Sequence, residues 1–311
     1  MKTIFNRNVP TYLNYSNGDT MASPEKNNSD TKKIDVEEGL FEAFDEYETS
    51  WLIGALSNDG IVRSNNEDAI FTFFSKLSDT ESTPSFGIFI VADGAGGHLN
   101  GEKASSLTLR TIASRLMRDV YMPMLSNKDT NRVDHPTTNE TIIKAIQEAN
   151  RLVLEQVEDG GCTCTVAVIT GNIVNIGHVG DSRMYLINKA EIDPLTRDHS
   201  IVGRLIEIGQ LTKEEAKTHP QRSVLYRGIG MDGLSDGEDI EVDIHRKRLK
   251  GGDSILLCSD GLWDMVDDDV IHTTVLDAKT PQEACRNLVR KANLNGGHDN
   301  ISVVIVSSPI D

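Results

Sequence analysis

Phe86-Gly87-Ile88-Phe89-Ile90-Val91-Ala92-Asp93-Gly94 decides how this chain folds. A charge-free run rich in Phe, Ile and Val predicts a strand, and its lack of alternation predicts that both faces are covered. Asp-Gly then closes it with a turn. Strand-like runs also occur at 51–56, 69–74, 163–170, 173–179, 184–187, 254–259 and 301–307, several of them continuously apolar. Between the strands at 86–92 and 163–170 the period changes. Leu109, Ile112, Ala113, Leu116 and Val120 share one helical face, and Ile142, Ile146, Ala149, Val153 and Val157 share another. Thr280-Pro281-Gln282-Glu283 opens a further helix with an N-cap, a proline in first position and a capping-box acid, and Ala284, Leu288 and Ala292 line its buried side. Strands therefore come in groups instead of alternating with helices. That predicts an α+β fold with mainly antiparallel sheets between helical layers.

The chain has 311 residues, 38% hydrophobic and 25% charged, enough for one large core or two small ones. Residues 1 to about 33 are polar and aperiodic, and 34–48 are acidic around Leu40, Phe41 and Phe44. We expect a mobile extension over 1–48 and a folded domain over 49–311. Lys and Arg number 31 against 48 Asp and Glu, a net charge of −17. That balance disfavours nucleic acid and acidic membrane as partners. No apolar run approaches the ~20 residues of a membrane span. The opening MKTIFNRNVPTYLNY has no continuous apolar core, which argues against a secretory signal. The four cysteines show no zinc or redox spacing and predict buried free thiols in a reducing cytoplasm.

Two glycine-rich stretches fail as phosphate loops. Gly96 to Gly101 is followed by Glu102 where such a loop needs lysine, and Gly228 to Gly233 lacks the flanking strand and helix, so it reads as a turn. The aspartates are more informative. Asp93-Gly94 and Asp260-Gly261 end apolar runs, Glu67-Asp68 precedes one, and Asp299-Asn300 opens the last. Each alone reads as a turn. Together they place several carboxylates at strand ends, which can converge on one rim of a sandwich. Carboxylates so placed repel unless protonated or bridged by cations. Oxygen-only ligation suits magnesium or manganese and not zinc.

The ordered set of segments resembles the metal-dependent protein phosphatases, the type 2C serine/threonine phosphatases, in their bacterial form. The segments are Arg63-Ser64-Asn65-Asn66-Glu67-Asp68, Val91 to His98, Gly101-Glu102-Lys103-Ala104-Ser105, Gly161-Cys162-Thr163, Val179 to Tyr185, Leu195 to Ser200, Arg227-Gly228-Ile229-Gly230, Cys258 to Asp264, and Gly296 to Ile301. The resemblance spans residue 50 onward. It implies a four-layer αββα sandwich with two mainly antiparallel central sheets. It also implies hydrolysis of phosphoserine and phosphothreonine in proteins by attack of a water or hydroxide bridging two divalent ions, Mg2+ or Mn2+.

In that resemblance Asp93 bridges the ions, the Gly94 carbonyl binds one, and Asp260 and Asp299 bind the other. Glu67 and Asp68 lie in or just behind the ligand shell, with Asp68 also counted among the catalytic residues. Arg63 holds the substrate phosphate. A third ion would use Asp159, with Glu158 the alternative in that loop. Ala95 stands where many eukaryotic relatives carry histidine, so the general acid is not assigned. Asp181, Asn300 and Trp263 keep structural readings, and His98 and His298 read as solvated loop residues. Residues 203–221 resemble a flap beside the active site, against a plain helical connector. The partners implied are phosphorylated proteins and an opposing serine/threonine kinase. The competing readings are a catalytically weak relative that binds phosphoproteins and a metal phosphohydrolase acting on small phosphates.

Overall fold

The computed structural model describes residues 50–77, 83–95, 100–126, 136–231 and 239–309. The chain divides into two units, Met1–Ala43 and Phe44–Asp311, and all the described residues belong to the second. The extension expected over 1–48 and the reading of His98 lie outside them.

Twelve strands are present among the described residues: β1 (Leu52–Asn58), β2 (Ala69–Ser75), β3 (Phe86–Ala92), β4 (Gly94–Ala95), β5 (Gly161–Cys162), β6 (Cys164–Thr170), β7 (Ile173–Val179), β8 (Arg183–Ile187), β9 (Ile192–Pro194), β10 (Asp243–Arg248), β11 (Ser254–Cys258) and β12 (Ile301–Ser307). The helices are α1 (Asn100–Leu116), α2 (Met122–Leu125), α3 (Thr138–Gln156), α4 (Ile201–Glu207), α5 (Lys213–Ala216), α6 (Asp260–Trp263), α7 (Asp268–Asp277) and α8 (Pro281–Leu294). One sheet runs β1-β12-β11-β8-β9, the other β10-β7-β6-β3-β2, and β4 with β5 forms a small ribbon. All pairings are antiparallel.

The burial pattern explains the uninterrupted apolar strands. Ile88 and Ile90 of β3 pack with Ile112 and Leu116 of α1 and with Ile142, Ile146 and Ala149 of α3. Phe89 and Val91, on the opposite face of β3, meet Met184, Leu257 and Val304 of the other sheet. That sheet in turn packs Leu256, Val303 and Ile305 against Ala284, Leu288 and Ala292 of α8. Three apolar seams thus separate four layers, helix, sheet, sheet, helix, as expected. Removing this much apolar surface from water is the dominant favourable contribution to the fold.

Three details differ from the sequence reading. Leu109 is only half-buried, because the inward face of α1 runs through Gly101, Ala104, Thr108 and Ile112. Thr108 takes the buried position with its hydroxyl 3.2 Å from the Cys162 thiol. β10, of sequence DIHRKR, is a strand that apolar patterning misses. It is held by its ladder to β7 and lies at a sheet edge. The acid of the α8 capping box also bonds differently. Thr280 Oγ1 accepts from Glu283 N at 3.2 Å, but the Glu283 carboxylate accepts from Lys279 N.

Pairing register brings the candidate strand ends together. Ala69 pairs with Ala92, so Asp68, before β2, and Asp93, after β3, emerge side by side. In the other sheet Cys258 pairs with Val303, which brings Asp260 and Asp299 to neighbouring ends.

Candidate active site

Asp68, Asp93, Asp260 and Asp299 interact electrostatically at one end of the sandwich. The Asp93 carboxyl lies close enough to both Asp68 and Asp260 to act on their ionisation. Burial first, and then the charges of Asp68, Asp260, Asp181 and Asp299, hold the Asp93 carboxyl well above the usual carboxylate range. Asp260 is raised likewise by burial and by Asp181, Asp299 and Asp68. Burial pushes Asp68 up to about 6, opposed by bonds from Ser302 and Ser259. Carboxylates packed this closely share a proton or a cation.

Two oxygens have nothing to bond to. Asp68 Oδ2 accepts from Ser259 Oγ at 2.8 Å, yet Asp68 Oδ1 is buried without a partner, and so is Asp260 Oδ1. A buried polar atom left unpaired costs free energy and marks a place for a missing ligand. The donors are all oxygen, which fits a hard divalent cation. Among the described residues no three His, Cys, Asp or Glu side chains close around a single point. Asp299 Oδ2 accepts from Arg63 Nη2 at 2.7 Å.

Local geometry fixes these groups. Asp93 N donates to Thr163 Oγ1 at 3.0 Å, and Thr163 N donates to the Asp93 carbonyl at 2.8 Å. Gly94 and Gly101 are glycines by necessity. A Cβ on Gly94 would overlap the Gly101 and Glu67 carbonyls, and one on Gly101 would overlap the Glu67 carboxylate. Glu67 thus lies against the start of α1, held by Ser105 Oγ donating to its carbonyl at 2.6 Å. Asn300 N donates to Asp299 Oδ1 at 2.9 Å. Its side chain accepts from Glu67 N at 2.8 Å and donates to the carbonyls of Asn65 and Asp59 at 2.9 and 3.0 Å. One buried amide therefore ties together the loop that carries Arg63, Glu67 and Asp68.

The family model for protein phosphatase 2C matches residues 62–292. The chain belongs to the protein phosphatase 2C family. It is 35% identical over 254 residues to the serine/threonine phosphatase stp of Listeria monocytogenes, covering 79% of this chain and 92% of that protein. The solved serine/threonine phosphatase of S. agalactiae superposes with a TM-score of 0.68 at 32% identity, covering 83% of this chain and all of the other. The catalytic domain of PstP in complex with two manganese ions superposes with a TM-score of 0.65 at 28% identity over 84% of this chain and all of the other.

Within this protein phosphatase 2C chain some expectations shift. Asp159, the residue expected to serve a third ion, is exposed, in a left-handed turn with φ 50° between α3 and β5. Asp181, read from sequence as structural, belongs electrostatically with the cluster. It is buried, acts on Asp93 and Asp260, and is itself pushed up to about 7 by burial and by Asp198. Its signal was present, since it too follows an apolar strand and a glycine. Trp263 is only half-buried; its indole N–H donates to the Asp181 carbonyl at 3.0 Å and Arg183 stacks on its ring at 3.7 Å.

Residues 203–221 carry the predicted helix start, with Thr212 and Glu215 in a reciprocal capping box. They wall a cavity of about 520 Å3 that reaches Asp260 and Trp263. Lys217–Asp267 at 3.1 Å, and Arg222–Asp264 at 3.0 Å just after the segment, tie it to the opposite wall. Gly228 to Gly230 forms a turn bridged to Cys162, not a nucleotide loop.

Proposed function

We infer that the chain is a protein serine/threonine phosphatase, a hydrolase of phosphoserine and phosphothreonine that works with two divalent cations, magnesium or manganese. Relatives named serine/threonine phosphatases support this, as does the related PstP domain in complex with two manganese ions. The observation that carries the reading is the closeness of the Asp93 carboxyl to Asp68 and Asp260, each of which keeps a buried oxygen without a partner. Asp93, Gly94, Asp260, Asp299, Asp68 and Glu67 would hold the cations through oxygen. When bound, the cations polarise the phosphoryl group and lower the pKa of water.

The chain's own residues do the rest. Arg63 is exposed enough to meet substrate, and its guanidinium fork matches two phosphate oxygens. Asn300 keeps that loop in place for in-line attack. No cysteine serves as nucleophile: all four are buried, and burial pushes Cys162 up to about 12. No phosphocysteine intermediate is formed.

No helix among the described residues is long and apolar enough to cross a membrane. Buried free thiols support a reducing, cytoplasmic location. The substrates, phosphoproteins, require an opposing serine/threonine kinase. The test is phosphate release from a phosphothreonine peptide. It should stop with a chelator and return with manganese; full turnover in metal-free buffer would overturn the reading.

A further inference from the structure

Among the described residues the three most exposed large hydrophobic side chains are Leu294 at 76%, Ile61 at 66% and Val62 at 62%. Ile61 and Val62 immediately precede Arg63. Leu294 ends α8, three residues before Gly297, and the Gly297 carbonyl accepts from Ile61 N at 2.8 Å and from Val62 N at 3.2 Å. The three side chains therefore stand on two segments bonded to each other beside the carboxylate cluster.

Single exposed aliphatic residues are ordinary on a protein surface. Here the backbone beneath them is pinned. Asn300 Nδ2 donates to the Asp59 and Asn65 carbonyls, and Asn58 Oδ1 accepts from both Gly60 N and Asn293 Nδ2. Gly60 holds a left-handed φ of 80°, and a Cβ there would overlap the Asp299 carbonyl. A segment this constrained has not exposed its aliphatic side chains by fraying. It presents them next to Arg63, which faces Asp299.

We propose that Ile61, Val62 and Leu294 form an apolar lip that receives a hydrophobic side chain adjacent to the phosphorylated residue of the protein substrate. The proposal rests on the reading of Arg63 as the phosphate holder. A phosphate on Arg63 brings the substrate backbone to this loop, and an extended peptide advances roughly 3.3 Å per residue. The residues one to three positions from the phosphoresidue then reach Val62 and Ile61. Their partner is an aliphatic or aromatic side chain, because the lip presents three aliphatic side chains. Specificity arises as a difference in transition-state binding between flanking residues, and covering an aliphatic side chain supplies that difference.

The experiment compares two phosphothreonine peptides, identical except for Leu or Ser at the positions flanking the phosphoresidue. In the wild-type enzyme kcat/KM should favour the Leu peptide by about tenfold, the scale of covering most of one aliphatic side chain. In Ile61→Ser/Val62→Ser, and separately in Leu294→Ser, that preference should fall toward one. The ratio is taken within one enzyme preparation, so partial unfolding or incomplete metal loading cancels. Arg63→Ala lowers both peptides together, so failure of the Arg63 reading, seen as no effect of that variant, is distinguishable from failure of the lip. A wild-type ratio near one, or a preference that survives in both serine variants, overturns the proposal. So does a wild-type dimer in sedimentation that Ile61→Ser/Val62→Ser dissociates, because the lip is then covered by a second copy of the chain.

Discussion

Arg63 and Asp299, 236 positions apart in sequence, are joined by a 2.7 Å ion pair. Both side chains are partly exposed, so the pair adds little stability, typically under about 1 kcal/mol. Its meaning is in the site. The guanidinium that is to hold substrate phosphate occupies a carboxylate that is to hold a cation. In the proposed reading a cation at Asp299 would compete with Arg63 for that oxygen and leave the arginine to the phosphate.

Arg63→Ala should therefore raise KM for a phosphopeptide and lower kcat/KM. A lost charge-assisted pair is worth on the order of 1.5–3 kcal/mol, roughly ten- to a hundredfold. Manganese affinity, measured by calorimetry, should stay the same or tighten, since a competitor for Asp299 is gone. Weaker manganese binding in this variant would contradict the arrangement.

Asn300→Ala removes one acceptor and two donors that hold Glu67, Asn65 and Asp59. Leaving part-buried backbone groups unpaired should cost on the order of 1–3 kcal/mol, read as a lower urea midpoint at constant slope. Turnover should fall as well, because the same bonds position Arg63 and Asp68. A midpoint and a rate both equal to wild type would show that the loop is held by other means.

His178 gives a pH-dependent prediction. Its ring is buried, Nε2 donates to the Arg197 carbonyl at 3.0 Å, and Nδ1 meets Thr165 Oγ1 at 2.9 Å. Burial first, then the neighbouring His199, lower its pKa from 6.5 to about 4. Between those values the unfolded chain binds a proton that the folded protein refuses. Stability should therefore fall as pH drops from 6.5 toward 4, by on the order of 3 kcal/mol from this residue. Urea unfolding of wild type and His178→Gln at pH 7 and 4.5 isolates the effect, because other titrating groups act in both proteins. Equal losses in the two proteins would remove His178 as the cause.

The fold was legible because Phe86 to Ala92 is apolar on both faces and Ile301 to Val306 nearly so, the pattern of strands between two packed layers. β10 was not legible, since an edge strand such as DIHRKR is stabilised by its ladder and leaves its cations in solvent. Asp68, Asp93 and Asp260 could be read as a set because they share a place relative to strand ends. Asp181 shares that place too, but one Asp after Gly is ordinarily a turn, and only tertiary packing brings its charge to bear on Asp93 and Asp260. The Arg63–Asp299 pair likewise depends on two loops that the sequence does not show meeting.

Asp93→Asn, assayed by manganese calorimetry alongside phosphate release from a phosphothreonine peptide, tests the central claim most directly. The substitution keeps the shape and removes the charge placed between Asp68 and Asp260, and an amide N–H can still donate to either carboxylate. The account predicts weakened manganese binding, abolished turnover, and thermal stability in metal-free buffer at or above that of wild type. Wild-type turnover with unchanged manganese affinity would contradict it.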